Sequence, residues 1–280
     1  MHADPLIEAN SWRAELALEY EFRNGRTVLA ARRHDGPLVV QKPFYPEGDA
    51  VCHNIIVHPP AGIAGGDALT IGASVGGGAA TLLTTPGAGK WYRSAGPWAE
   101  QRIRFDVAAG ASLEWLPQET IVFDGALAQL RNEVCLTGDA RYIGWEILCL
   151  GRTGSGESFT RGECRTRTLV RRDGRPLWLE RARIEGGGDA LTSTAVLAGH
   201  PIAGTLVATA PMIERDVLLA CREPKPVSGE GAVTSMPGLL VARYLGASSE
   251  AAKNYFTQLW RILRPALTGR TANEPRIWRT

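Results

Sequence analysis

The sequence predicts a mainly β protein, a β-helix-like or sandwich-like body of stacked sheets, and three observations carry that prediction. Glu15–Phe22 alternates polar and apolar residues with period two, and Asn24-Gly25 follows before Thr27-Val28-Leu29-Ala30, which is a hairpin pattern. A small glycine motif recurs as Val75-Gly76-Gly77-Gly78-Ala79, Val107-Ala108-Ala109-Gly110-Ala111 and the looser Leu136-Thr137-Gly138-Asp139-Ala140. Its glycines Gly78, Gly110 and Gly138 fall 32 and then 28 positions apart, a spacing suited to stacked β units. The segments between the copies are short, β-branched or aromatic, and bounded by Gly or Pro, with no helical periodicity long enough for a crossover helix.

In chain order, the opening hairpin is followed by a second turn pair, Asp35-Gly36, before Leu38-Val39-Val40. The run Val51–Val57 reads as a strand and must end at His58-Pro59-Pro60, because each proline biases the residue before it toward extended backbone and cannot donate to a ladder. The stretch His58–Asp67 holds three glycines, Gly62, Gly65 and Gly66, and leaves Asp67 on a tightly turned support. Arg161–Glu185 carries eight arginines, but Glu163, Asp173, Glu180 and Glu185 are interleaved and Arg172-Asp173-Gly174-Arg175 marks a hairpin turn. That segment is read as a hairpin with a solvated charged face, with an anion-binding patch as the lesser reading. Arg222–Gly231, rich in Pro, Gly and charge, is the best candidate for a mobile loop. One convincing helix follows near 249–264. Ser248 is its expected N-cap, Ala252, Tyr255, Phe256, Leu259, Trp260 and Leu263 form its apolar stripe, and Pro265 is expected to stop it. Beyond it, residues 268–280 read as an extended basic tail ending in Ile277-Trp278-Arg279-Thr280, an aromatic end suited to docking another protein.

At 280 residues, with 44% hydrophobic and 21% charged residues, the chain is globular, and its net charge of +2 is too slight to make nucleic acid or an anionic membrane the main partner. No basic and apolar leader opens it and no run approaches the ~18 apolar residues of a membrane span, so a soluble cytoplasmic protein is expected. Five scattered cysteines, Cys52, Cys135, Cys149, Cys164 and Cys221, contain no Cys-x-x-Cys pair, so they are expected to be buried apolar residues and not disulfides or zinc ligands.

Tests for catalytic motifs remove most of them. Thr85–Trp91 has Thr84 where a phosphate loop needs its first glycine and Trp91 where it needs a hydroxyl, and Gly151–Gly156 fits neither the dinucleotide nor the nucleophile-elbow pattern. On a strand, Cys52 and His58 face one side and His53 the other, so the three cannot close on one metal without a bend. A scatter of carboxylates remains, Asp67, Glu114, Glu119, Asp124, Glu146, Glu157 and Glu180. Glu146 is the oddest, because Ile143-Gly144-Trp145-Glu146-Ile147-Leu148 is otherwise an apolar strand, and a charge there must be paired, face water or serve a purpose.

Taken together, His58–Asp67, Leu83–Ser94, Leu113–Glu119 with Phe123–Ala126, Gly144–Ile147 with Leu150-Gly151-Arg152 and Gly156-Glu157, Arg243–Gly246, Arg264-Pro265-Ala266 and Pro275–Trp278 closely resemble the urease accessory protein family UreD, called UreH in some organisms. The resemblance covers essentially all of residues 1–280 as a single UreD-like domain. Its one mild departure is Ala61, where the family more often has glycine. The resemblance implies a β, helix-like body with two helices in its C-terminal region. It also implies a non-enzymatic scaffold, with no tightly bound cofactor, that binds urease apoenzyme and recruits a UreF-like partner and through it a UreG-like nickel GTPase. Nickel passing along such a protein needs ligands that release it, and carboxylates hold a divalent ion more loosely than a Cys or His cage. Asp67, Glu146 and Glu180 are therefore the expected transient nickel path, and Tyr255, Trp260, Arg276, Ile277 and Trp278 the expected partner contacts. Two other readings remain open: a docking module with no metal role, and a β-helix carbohydrate enzyme using paired carboxylates.

Overall fold

Two sheets and a helix lie in layers in the computed structural model, which describes residues 11–279. With strands numbered along the chain, the first sheet runs in the order β14 (Arg175–Glu185), β13 (Glu163–Arg172), β11 (Leu127–Leu136), β8 (Ala99–Val107), β5 (Ala68–Val75), β1 (Arg13–Arg23), β2 (Arg26–Asp35). Its five central strands are parallel, and β2 and β14 close the edges as antiparallel hairpin partners. The second sheet contains β16 (Glu230–Met236), β17 (Leu239–Gly246), β15 (Ile202–Thr209), β12 (Arg141–Leu150), β9 (Ser112–Trp115), β6 (Ala80–Thr84), β4 (Val51–Val57) and β3 (Val39–Val40). Its four middle strands, β4, β6, β9 and β12, are parallel. Two short strands, β7 (Gly89–Trp91) and β10 (Thr120–Val122), pair in parallel with each other, and β10 with the end of β12.

The chain winds between the sheets, from β5 to β6, β8 to β9 and β11 to β12, and the three glycine motifs are the stacked corners. Ala108 N donates to Val75 O and Thr137 N to Val107 O, both at 2.9 Å, so each corner sits in register on the last. Asp139 accepts from Gly110 N at 2.6 Å, and Asp173, in the turn of the β13–β14 hairpin, accepts from Gly138 N at 2.9 Å. Gly138 takes φ 55°, a left-handed value that a side chain would oppose, which is why a glycine recurs there. The two hairpin turns expected at Asn24-Gly25 and Asp173-Gly174 form, each with positive φ at both residues.

Inward side chains of the first sheet, such as Leu16, Ile71, Phe105 and Val134, pack against Leu83, Leu113 and Tyr142 of the second. The opposite face of the second sheet packs on helix α3 (Ser249–Thr268). Two shorter helices, the single turn α1 (Asp189–Thr192) and α2 (Arg215–Arg222), precede it, so the pair implied for the C-terminal region is α2 and α3. Ser248 caps α3 as expected, its hydroxyl accepting from Ala251 N at 3.1 Å. Pro265 does not stop the helix. It removes one backbone donor, but Thr268 Oγ1 donates to Arg264 O at 2.7 Å, Gly269 N donates to Pro265 O at 2.9 Å, and buried Leu267 holds the added turn to the core. Residues 276–279 form a short 3₁₀ turn folded back on the body instead of an extended tail, and Thr280 lies outside the described residues. All five cysteines are free, and all but the half-buried Cys135 are buried.

One buried ion cluster pins α3 to the body. Arg264, fully buried, donates to both oxygens of Glu47 at 2.6 and 2.7 Å and from Nε to Glu114 at 2.9 and 3.0 Å. Trp260 Nε1 donates to Glu114 at 2.5 Å, and His53 Nε2 lies 2.5 Å from Glu47. Burial raises the Glu114 carboxyl, opposed by Arg264, whereas for Glu47 the bonds to His53 and Arg264 outweigh burial and lower it. Removing one member leaves uncompensated charge inside the protein, which costs about 3–5 kcal/mol. Arg264→Ala is therefore expected to lower the unfolding free energy in urea by that amount, and Glu114→Gln in the same chain to recover part of it. A loss below about 1 kcal/mol would show that the cluster does not anchor the helix.

Candidate functional site

The fold sorts the scattered carboxylates into those whose side chains are answered and two, Glu119 and Glu146, to which no side-chain hydrogen bond or ion pair runs among the described residues. Asp67 is 2% exposed and both its oxygens are taken by backbone N–H groups, Trp12 N and Ala64 N, each at 2.7 Å. It closes the His58–Asp67 loop, in which Ala61 itself has φ 62°, the position where the resembled family favours glycine. A Cβ at Gly62 would lie 2.0 Å from the Tyr92 ring, so this glycine serves close packing. Asp124 accepts from Thr160 N, Thr160 Oγ1 and Arg161 N at 2.7–2.9 Å and from the Arg161 guanidinium at 2.7 and 3.1 Å, bonds that hold its carboxyl far below the usual range. Glu157 is similarly held low, chiefly by Arg152 at 2.9 Å.

Glu146 differs. It lies on β12 among residues buried on both sides, and strand alternation points it into the space between the sheets while Trp145 and Ile147 face α3. Among the described residues it has no hydrogen-bond or ion-pair partner. It is half-buried and borders three cavities of about 630, 100 and 30 Å³. The smallest shares Glu180, Thr168 and Thr205 with the largest, and Trp115, Asn132 and Trp145 with the intermediate one.

Strand register explains the polar lining. On the inner face of the first sheet, Asn132, Thr168 and Glu180 are adjacent across β11, β13 and β14. On the facing sheet, Glu146, Thr205 and Arg243 are adjacent across β12, β15 and β17. Arg243 bonds Glu180 and, at 2.7 Å, Thr205, and its guanidinium lies 5.4 Å from the Trp178 ring. Burial, with Glu180 nearby, pushes the Glu146 carboxyl up to about 7.

The structure thus joins Glu146 and Glu180 in one cavity and leaves Asp67 outside the three that border Glu146. Among the described residues no three His, Cys, Asp or Glu side chains are grouped to hold a metal ion. The Cys52–His53–His58 group stays apart, with His53 turned to Glu47. Of the expected partner contacts, Tyr255 and Trp260 are 1% and 0% exposed and pack α3 onto the second sheet. Trp278 is half-buried, with its ring 5.6 Å from that of Trp145 and 5.9 Å from that of Trp260, and its Nε1 donates to Thr84 at 2.9 Å. Ile277 is half-buried, and Arg276 is exposed. The sequence reading missed Arg243, Thr168, Asn132 and Thr205 as lining residues; the available signal was a polar residue at the inward phase of each strand.

The raised Glu146 carboxyl has a linkage consequence. The unfolded chain releases this proton near 4.5 and the folded one near 7, so the folded state holds more protons between those values and stability falls as pH rises through that window. Glu146→Gln removes this dependence. Its stability relative to wild type is expected to grow from about pH 5 to about pH 8, by at most about 3 kcal/mol and less where cavity water solvates the charge. Parallel pH profiles in thermal unfolding would contradict that environment for Glu146.

The family model described as UreD urease accessory protein matches residues 13–279. A urease accessory protein UreD of Azoarcus sp. (strain BH72) is 57% identical over 269 residues, covering 96% of this chain and 94% of that one. The UreD of Dechloromonas aromatica (strain RCB) is 54% identical over 274 residues, covering 96% and 95%. That of Pseudomonas savastanoi pv. phaseolicola (strain 1448A / Race 6) is 50% identical over 281 residues, covering 99% of each. The chain belongs to the UreD family of urease accessory proteins.

Proposed function

We propose that this chain is a non-enzymatic, cytoplasmic scaffold that binds the urease apoprotein, recruits UreF-like and UreG-like partners, and offers nickel a carboxylate path. The supporting observation is Glu146, an internal carboxylate without a protein partner, bordering the cavities between the sheets with Glu180 beside it. Nickel is the cargo in this reading. Two carboxylates and the neutral oxygens of Thr168, Thr205 and Asn132 form a weak oxygen site, which suits passage over storage. A proton and Ni²⁺ compete for the same Glu146 lone pairs, so loading strengthens as pH rises through about 7. Arg243 holds Glu180 in place and offsets its charge, which keeps two carboxylates from trapping the ion. Asp67, with both oxygens already bonded, acts in this reading through the loop it closes.

The test is urease activation in cells making the urease subunits and the other accessory proteins, at limiting nickel. Glu146→Gln with Glu180→Gln is expected to lower urease activity and nickel content on the order of tenfold, with pull-down of the partners unchanged and partial rescue by added nickel. Asp67→Asn is expected to lower soluble protein and complex together. Full activation by the Glu146/Glu180 variant would remove the nickel path and leave a docking module.

A further inference from the structure

The outward face of the first sheet carries a charge pattern that neither the core nor the proposed nickel path uses. In register, Arg102 on β8 lies beside Arg131 on β11, Arg131 beside Arg167 on β13, and Arg167 beside Arg181 on β14. Four arginines therefore stem from one row across strands about 4.8 Å apart. Like charges directly opposite one another destabilise a sheet, so such a row calls for an anion.

The nearby carboxylates are already engaged. Glu100 is bound by Arg102 at 2.7 Å, Glu133 by Arg104 and Arg171 at 3.3 Å each, and Glu163 by Arg165 and Arg183 at 2.5 and 2.8 Å. Arg131, Arg167 and Arg181 are left without a hydrogen bond or ion pair among the described residues. The register continues from Arg102 through Thr70 to Glu15, which Arg33 holds at 3.3 Å, and from Arg104 to the small Gly72 and Ala17. Arg181 also borders the largest cavity beside Glu180, so whatever docks on the row sits next to that opening.

We propose that this row is a docking surface for an acidic face of the urease apoprotein, whose carboxylates complete the ion pairs of Arg131, Arg167 and Arg181. Arginine is favoured at protein interfaces for its planar, bidentate pairing with carboxylates. Single-stranded nucleic acid fits less well. Grooves that bind it add stacking aromatics to positive charge, whereas the neighbouring Trp98 ring is already covered by Arg165 at 4.2 Å. The choice of urease as the partner rests on the scaffold role proposed above.

The experiment measures binding of purified urease apoprotein to the full chain and to two triple variants, Arg131→Gln/Arg167→Gln/Arg181→Gln and Arg131→Glu/Arg167→Glu/Arg181→Glu, from about 50 to about 500 mM salt. Unchanged circular dichroism and melting qualify each variant, and the Gln triple carries the test if the Glu triple does not fold. Wild-type binding is expected to weaken with salt, and the Gln triple to bind at least about tenfold more weakly at low salt with a flatter salt slope. A folded Gln triple with wild-type affinity and slope overturns the docking row while leaving the scaffold role standing. A wild-type chain that binds no apoprotein at any salt overturns the scaffold role and this assignment together. Retention of a labelled oligonucleotide by wild type, lost in the Gln triple, overturns the protein assignment in favour of nucleic acid.

Discussion

The second sheet is covered on both faces, by the first sheet on one side and by α3 on the other, and this constraint governs what its charges can do. Strands covered on both sides expose little, and every residue of β6 and β9 is buried. Two glutamates interrupt them on opposite faces. Glu114 points at the helix and is answered by Arg264 and Trp260, which makes it an anchor. Glu146 points between the sheets, where no donor answers it and the packing opens instead into cavities. Identical side chains thus meet opposite environments, because in low dielectric the available partner decides whether a carboxylate is held charged or pushed toward its neutral form.

The same wall seen from outside has the complementary property. Parallel strands in register turn every repeated outward residue into a transverse row, so arginines that are unrelated in sequence become neighbours at strand spacing. Acidic residues on the adjoining rows pair with Arg102 and with arginines off the row, and leave Arg131, Arg167 and Arg181 over. The unpaired carboxylate inside and the unpaired arginines outside meet near the β13–β14 hairpin, whose inward Glu180 lines the cavity while its outward Arg181 closes the row. One hairpin therefore presents the cavity opening and the charged face together.

Much of this was legible in the chain. Period-two alternation marked the hairpins, the recurring glycine motif marked the stacked corners, and the Ser248 cap with its apolar stripe marked α3. Glu146 was legible as a charge inside an apolar strand. The extent of α3 was not, since tertiary packing of Leu267 and a threonine back-bond outweighed the proline rule at Pro265. Trp278 read as a free aromatic end, yet its ring completes an aromatic group with Trp145 and Trp260 that only the folded chain brings together.

By itself the sequence determined the class of fold, the places where strands turn and the faces on which apolar side chains lie, because these follow from backbone geometry and neighbours a few residues away. Only the tertiary structure decided which carboxylates are satisfied. Asp67 and Asp124 read like Glu146 as acidic residues near glycine and tryptophan, and what separates them is the donors delivered from distant strands and loops. Strand register joins Glu146 to Thr205 and Arg243, and Asn132 to Thr168 and Glu180, across connections that local chemistry does not specify. The energy of a charge inside the fold depends on those long-range partners, so folding decided its environment.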